Sequence, residues 1–516
     1  MIRRFLCAAI FAALSMLWTP LHAQDVTLTS RDGEIALSGT LLTFDGEFYR
    51  LQTEFGELVL DGQGVLCRGV GCPNLEDYVA EFTVAGSHAI GDTLLPALLE
   101  TYAARRGLSV RRVVRSDSDF DIELADPGTG FDVARVGFRL SDSDGGMARL
   151  LLGEADIAMT LREASEAEIQ AARAAGLGDI SAPGQNRILG LDALVPAVAR
   201  GNSTNQITVT MLASMLAGAV PEWPATGGPV LLQGRSSRSG PAQVIRSQVL
   251  MPAGFEAPAE MNRHPDEAAL SDAIARDPLA LGMVRLSEIG NAVPLAVAGD
   301  CGMPVLADRQ RLKSGDYPLT LPLFLYMPQK RLPLFTREFL AFLRSPQAQP
   351  TIRRAGFVDQ GREEIPWAAQ GTRLLNAARV AEADIPLSEL KRMTDALTGA
   401  RRLTTTFRFR GGASALEPQS AGNVADLAKA IESGAFDGRE LLFVGFSDGE
   451  GDWQVNQRLS AQRARTVRDA VVKSAFSADF AQVRMQVLGF GEVMPMACDD
   501  AEWGRRVNRR VEVWVR

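Results

Sequence analysis

LLFVGFSD (Leu441–Asp448), GEGDWQV (Gly449–Val455) and NQRLSAQRARTVRDAVVKSAF (Asn456–Phe476) decide how the C-terminal part of the chain folds. The first apolar run is too short for a helix and ends in a Gly/Asp loop, which predicts a buried strand. Ser460, Ala464, Val467, Val471 and Ala475 then recur at three-to-four spacing and predict an amphipathic helix. In VRMQVLGFG, Val483, Met485 and Val487 alternate with polar residues. The closing VEVWVR puts Val511, Val513 and Val515 on one face of a last strand. The expected order is strand, helix, strand, turn, strand.

Two charged residues stand out in this block. Asp448 falls where the first strand ends, and Arg463 falls about two turns into the helix. A strand end beside a helix start brings such residues to one pocket rim. A guanidinium there holds a ligand carboxylate with two parallel bonds, and a carboxylate accepts from an ammonium. The other reading pairs the two residues with each other, and spacing does not separate the readings.

GFSDGEGDWQVNQRLSAQRARTV, GFGEVMP and GRRVNRRVEV resemble the peptidoglycan-binding C-terminal domain of the OmpA family, with residues 401–516 as that domain. The resemblance implies that Asp448 and Arg463 grip the diaminopimelate of the peptidoglycan stem peptide, with Asn456 and Arg509 in support. The family's usual aromatic-or-His and Thr before the Asp are Phe446 and Ser447 here.

The other end of the chain points to the same compartment. Arg3 and Arg4 precede an apolar run to Trp18 and then PLHA and Gln24, which reads as a cleavable signal peptide over 1–24. That implies a periplasmic protein, held non-covalently at peptidoglycan or associated with the outer membrane. The formal net charge is −8, and more negative without Arg3 and Arg4, which argues against nucleic acid or an anionic membrane as partner. Four of the five cysteines survive processing. Cys67 and Cys72 in CRGVGCP are close enough for a disulfide, worth roughly 2 kcal/mol for so small a loop. Cys301 and Cys498 read as free thiols. With two histidines after the signal, a His-based metal site is not expected, and no metal or cofactor is called for.

Residues 25–80 read as a small β unit, with Asp32-Gly33, Asp45-Gly46 and Asp61-Gly62 turns between short strands; it reads as a docking or spacer module. From 81 strands and helices alternate, as in α/β architecture. Three strand-to-helix turns follow: Ser87, His88 and Ala89 after Gly86; Ser143 with Asp144 and Gly145; and Arg235, Ser239 and Gly240 before Pro241. Backbone N–H groups at helix starts, hydroxyls and an arginine suit one small anion. The plain reading of each serine is a helix cap.

Seven segments together resemble the substrate-binding protein of phosphate ABC importers over 81–358. They are AGS (Ala85–Ser87), GEADIAM (Gly153–Met159), ILGLDALVPAV (Ile188–Val198), the Ile207–Trp223 segment, RSSRSG (Arg235–Gly240), SGDYPLTLPLFLY (Ser314–Tyr326) and the Glu338–Val358 stretch. The implied fold is multidomain α/β and α+β: the small β unit, a two-lobed type II-like periplasmic-binding-protein clamshell, and the OmpA-like βαβ-type domain. Lobe I would hold about 81–186 and 315–358, and lobe II about 187–314. Two strands cross between the lobes, and a helical linker spans 359–400, broken at Pro386 and read as a spacer. The implied anion contacts are Ser87, His88, Ala89, Ser143, Arg235, Ser239 and Gly240. Pro241 stands where the family has Thr, and Leu161 where it has the Asp that accepts the proton of hydrogen phosphate. The site therefore takes phosphate, another oxyanion or an organic acid.

No enzyme is expected and no catalytic residue is assigned. Ser388-Glu-Leu-Lys391 and Lys313-Ser-Gly315 imitate pieces of a serine acyl-transferase, in the wrong order. Two functions compete. In the first, a solute-binding protein captures a small anion for an ABC permease while held at the wall. In the second, the clamshell is a wall-bound sensor or structural module that feeds no transporter.

Overall fold

The computed structural model describes residues 25–31, 33–74, 78–236, 239–256, 260–299, 304–380, 385–409, 416–499 and 502–516. The expected signal peptide, Asp32 and Cys301 lie outside these residues.

Residues Asp25–Arg68 form a five-stranded antiparallel sheet, with Val26, Leu28, Leu41, Tyr49 and Leu51 as its small core. Cys67 and Cys72 are joined in a disulfide. The sheet is anchored to the next domain: Glu47 accepts from Arg331 (2.8 Å) and Arg337 (2.7 Å), and Arg331 lies 3.8 Å over the Phe48 ring.

One continuous mixed sheet then runs through two lobes. Ala80–Ser87, Asp132–Ser141 and Ile157–Thr160 are parallel neighbours in the first lobe, with Phe82, Val84, Leu98, Leu99, Phe138 and Phe339 in its core. The second lobe gathers Leu231–Gly234 and Ala280–Arg285 around Leu212, Leu216, Trp223 and Leu281. Asn186–Val198 and Thr320–Tyr326 pair antiparallel and join the lobes. Asn186–Ile188 registers against Tyr326–Phe324, and after a break at Ile188/Leu191 the pair resumes as Leu191–Ala193 against Pro322–Thr320.

The C-terminal domain is a sheet of Glu364–Pro366, Arg401–Arg408, Arg510–Val515, Glu440–Phe446 and Arg484–Gly489, in that spatial order. Glu440–Phe446 and Arg484–Gly489 are parallel, with the helix Trp453–Ser474 as their crossover. Gly445 lies so near the Ser460 backbone that a Cβ there would collide with its carbonyl. Between the last two strands, where the sequence suggested a turn, stands a short helix, Glu502–Asn508.

Alternation in the last strand concealed a second buried face. Val511, Val513 and Val515 pack under the helices Pro418–Glu432 and Trp453–Ser474. Arg510, Glu512 and Trp514 are equally buried on the other side. That side is covered by Gly371–Val380 and Leu387–Leu397, whose Ala377, Met393 and Leu397 join Leu442, Val444, Phe446 and Trp514 in one core. The stretch expected to be a spacer is thus the second layer of the wall-type domain. Arg373 of this layer and Arg510 and Arg402 of the sheet surround Glu512, and Arg402 also grips Asp316 with bonds of 2.6 and 2.9 Å. Asp316 belongs to the clamshell, just before its crossing strand, so this ion pair welds the two domains.

Cys498 is disulfide-bonded, which overturns its reading as a free thiol. Its sulfur lies so near Gly299 that a Cβ there would sit 2.9 Å from it, a second contact between the C-terminal domain and the clamshell. No helix among the described residues is long and apolar enough to cross a membrane.

Candidate functional site

Between the lobes lies a cleft of about 730 Å³. Ser87, His88, Ala89, Arg235, Ser239 and Gly240 all line it. Ser87 arrives there because Gly86 takes φ +122°, where a side chain would strike the Met159 carbonyl. His88 sits at the rim and its Nδ1 is 3.1 Å from Asp92 Oδ2. Ser239 caps the short helix Gly240–Ile245 by accepting from the Ala242 N–H at 3.3 Å.

Ser143 is placed differently. It is buried, and its Oγ accepts from the Leu161 N–H at 3.0 Å. Leu161 itself lines the cleft, so Ser143 props the floor that Leu161 forms. The lobes also meet directly: Gln243 Nε2 of the second lobe donates to Asp144 Oδ2 of the first at 2.8 Å.

Arg235 has no carboxylate partner among the described residues, and its Nε is buried without an acceptor. The cleft's other arginine, Arg285, is engaged: it reaches Ser287 Oγ (3.2 Å), Asp192 (3.5 Å) and Glu288 (3.6 Å). Sequence reasoning missed Arg285, Asp92 and Glu267, which also line the cleft. Glu267 opens an ordinary helix capped by Asp266, and nothing local marks it as facing a ligand space. Burial raises its pKa against the opposing pull of Arg285 and Arg235.

The second candidate site lies in the C-terminal domain. Asp448, at the end of its strand, is buried and accepts from Arg509 NH1 at 2.8 Å. Arg509 also holds Glu502. Asn456 is buried and donates to the Glu450 carbonyl (3.1 Å) and to Glu492; it fixes the loop between strand and helix. Arg463 is not paired with Asp448. Its NH1 is buried with no acceptor, and its guanidinium lies 5.6 Å from the Phe409 ring centroid. Burial lowers its pKa, Asp448 opposes that, and Arg509 adds to it. The spacing had left open a direct Asp448–Arg463 pair; the structure gives Asp448 to Arg509 and leaves Arg463 available.

The imitation catalytic pieces hold no such arrangement. Lys313 is buried in contacts with Asp359 (3.0 Å), Glu363 (2.7 Å) and the Gly361 carbonyl, while Ser388 is exposed on the covering helix. No group of three metal-ligating side chains occurs among the described residues.

Residues 123–347 match the PBP superfamily domain, and residues 408–509 match the OmpA family. The chain therefore combines a PBP-superfamily domain with a C-terminal OmpA-family domain, and these are families of binding proteins. Among curated proteins it is 33% identical to outer membrane porin F of Pseudomonas fluorescens over 114 residues, 22% of this chain and 33% of that one. It is 32% identical to the peptidoglycan-binding protein ArfA of Mycobacterium bovis over 133 residues, 25% of this chain and 36% of that one. The chain thus spans about a third of the length of these relatives. Among solved structures, an ABC-type phosphate transport receptor from Vibrio cholerae aligns at TM-score 0.40 and 19% identity, covering 54% of this chain and 99% of that one. The peptidoglycan-associated lipoprotein from Burkholderia pseudomallei aligns at TM-score 0.19 and 23% identity, covering 22% and 89%.

Proposed function

We propose that this is a non-catalytic, two-site envelope protein of the periplasm. It captures a small oxyanion in the interlobe cleft and is held at the cell wall by its C-terminal domain. One observation carries the reading: each site keeps a guanidinium that has a buried N–H without an acceptor and, among the described residues, no carboxylate at ion-pair distance, Arg235 in the cleft and Arg463 in the C-terminal domain, whereas Arg509 is held by Asp448 and Glu502. A buried donor without a partner costs about 1–3 kcal/mol, so such groups suit a ligand that completes them. In the cleft the ligand group is phosphate or a phosphate-like oxyanion, held by Arg235 with the hydroxyls of Ser87 and Ser239. At the wall it is the stem peptide, whose diaminopimelate carboxylate meets Arg463 and whose ammonium meets Asp448, with Asn456 and Arg509 fixing both.

Delivery to an ABC permease is the outlet the clamshell suggests. The alternative is a wall-bound sensor, which the Arg402–Asp316 weld favours, because a carrier fixed to its anchor has less reach. Thermal shift of the protein after signal removal, with phosphate, sulfate and small organic acids, tests the cleft. A shift that Arg235→Ala removes supports capture; no shift with any of them removes capture and leaves the wall domain. Pelleting with purified sacculi tests the other site, and unchanged pelleting of Arg463→Ala and Asp448→Ala would sink it.

A further inference from the structure

The cleft is more acidic than an anion alone requires. Among its described lining residues are five carboxylates, Asp92, Asp142, Asp266, Glu267 and Glu288, against two guanidiniums. Four of the five have work in the protein itself. Asp142 and Asp266 cap helices through Gly145 and Ala269, Asp92 holds His88, and Glu288 faces Arg285. Glu267 is the exception. One side of its carboxyl takes the Arg285 backbone N–H, while Oε2 is buried with no partner. Arg235, near enough to Glu267 to stabilise its charge, makes no hydrogen bond to it. The same space thus holds one unsatisfied donor and one unsatisfied acceptor.

Size agrees with that pairing. A cleft of about 730 Å³ falls within the ~300–1,000 Å³ typical of organic-ligand pockets, far more than a bare tetrahedral oxyanion fills. Part of the wall is apolar, from Leu161, Pro241, Ala268 and Phe357, and suits a short carbon spacer.

Building on the anion-capture reading, we infer that the ligand is an organic oxyanion that also carries a protonated amine: its oxyanion on Arg235 and its ammonium on Glu267. An ammonium supplies the donor that Glu267 Oε2 lacks, and its charge offsets the cost that burial places on the carboxylate.

Isothermal titration of the intact protein after signal removal tests this with pairs of probes that differ only by the amine: O-phosphoethanolamine against ethyl phosphate, and β-alanine against propionate. Inorganic phosphate serves as reference. The expected result is at least tenfold tighter binding of the aminated member of one pair, and which pair responds identifies the oxyanion. Glu267→Gln, which keeps shape and removes charge, should erase that gain while leaving the non-aminated partner within about twofold. Equal binding within both pairs, with phosphate or ethyl phosphate still bound, overturns the inference and spares anion capture. The same holds if Glu267→Gln weakens both members of the responding pair alike. Binding of none of the probes overturns capture as well. The wild-type comparison stands even if the variant fails to fold.

Discussion

Two sets of arginines with buried nitrogens occupy this molecule, and they are paired differently. Arg373, Arg402 and Arg510 surround Glu512, with Asp316 closing the group from the neighbouring domain. Each of these guanidiniums faces a carboxylate, and Glu512 also accepts from the Trp514 indole at 3.1 Å. Arg235 and Arg463 instead each keep a buried N–H with no acceptor and, among the described residues, no carboxylate at ion-pair distance, whereas Arg402 Nε, also without a hydrogen bond, lies 3.3 Å from Glu512. Burial of a charge is tolerable when partners are in place. The first set holds two domains together, and the second set carries the proposal of two ligand sites.

The comparison breaks most visibly at Glu512. Its removal leaves three arginines facing one another in the core, so Glu512→Ala should cost about 3–5 kcal/mol, read by denaturant unfolding. A loss below about 1 kcal/mol would mean that the cluster is solvated and that the two sets do not differ. The same cluster has a pH signature. Burial alone would raise the Glu512 pKa, but Arg373, Arg402 and Arg510 outweigh it and hold the group well below the carboxylate range. A depressed folded-state pKa gives stability that is present above the unfolded value, about 4.3, and lost as pH falls toward the folded one. Unfolding at pH 7 and pH 3 should therefore differ more in wild type than in Glu512→Gln.

Next in size is Arg235→Ala. A ligand at a hundred times its dissociation constant adds about 2.7 kcal/mol to the domain that binds it, and the variant should lose that increment while its ligand-free melting stays near wild type. A large fall in ligand-free stability would move Arg235 into the structural set. Arg463→Ala should weaken sacculus binding by roughly ten- to a hundredfold, since a hydrogen bond to a charged group is worth about 1.5–3 kcal/mol. Asp448→Asn should weaken it similarly, with the added effect of loosening Arg509. The smallest effect is expected at the Arg344–Asp426 pair, which bridges clamshell and C-terminal domain on the surface, with side chains 44% and 53% exposed. Asp426→Ala should cost less than about 1 kcal/mol, in keeping with exposed pairs. A larger cost would show that this surface pair, and not only the buried Arg402–Asp316 weld and the Cys498–Gly299 contact, holds the domains together.

Much of the fold was legible in the sequence because periodicity survives without context. The Leu441–Phe446 run, the three-to-four spacing from Ser460 to Ala475 and the glycine at 86 each carry their own conformational instruction. So do the helix starts at Ser87 and Ser239, whose residues line the cleft. The motif marks Asp448, Asn456, Arg463 and Arg509, but not the division of labour among them. Which arginine takes Asp448 depends on where the Glu502–Asn508 helix sets Arg509, and the sequence suggested only a turn there.

The sequence by itself determined which residues form strands and helices, and which loops carry charge and hydroxyl groups, because local sterics and hydrophobic spacing act over a few residues. Only the tertiary structure decided which charges are satisfied. Arg510 and Glu512 read as the polar side of an amphipathic strand until helices from 371–397 cover them. Glu267 reads as a first-turn acid until the second lobe brings it into the cleft. Ser143 reads as a helix cap or a ligand contact, and the fold adds a bond from the Leu161 N–H to its oxygen. Pairing and desolvation are set by neighbours tens to hundreds of residues away. No local pattern records them.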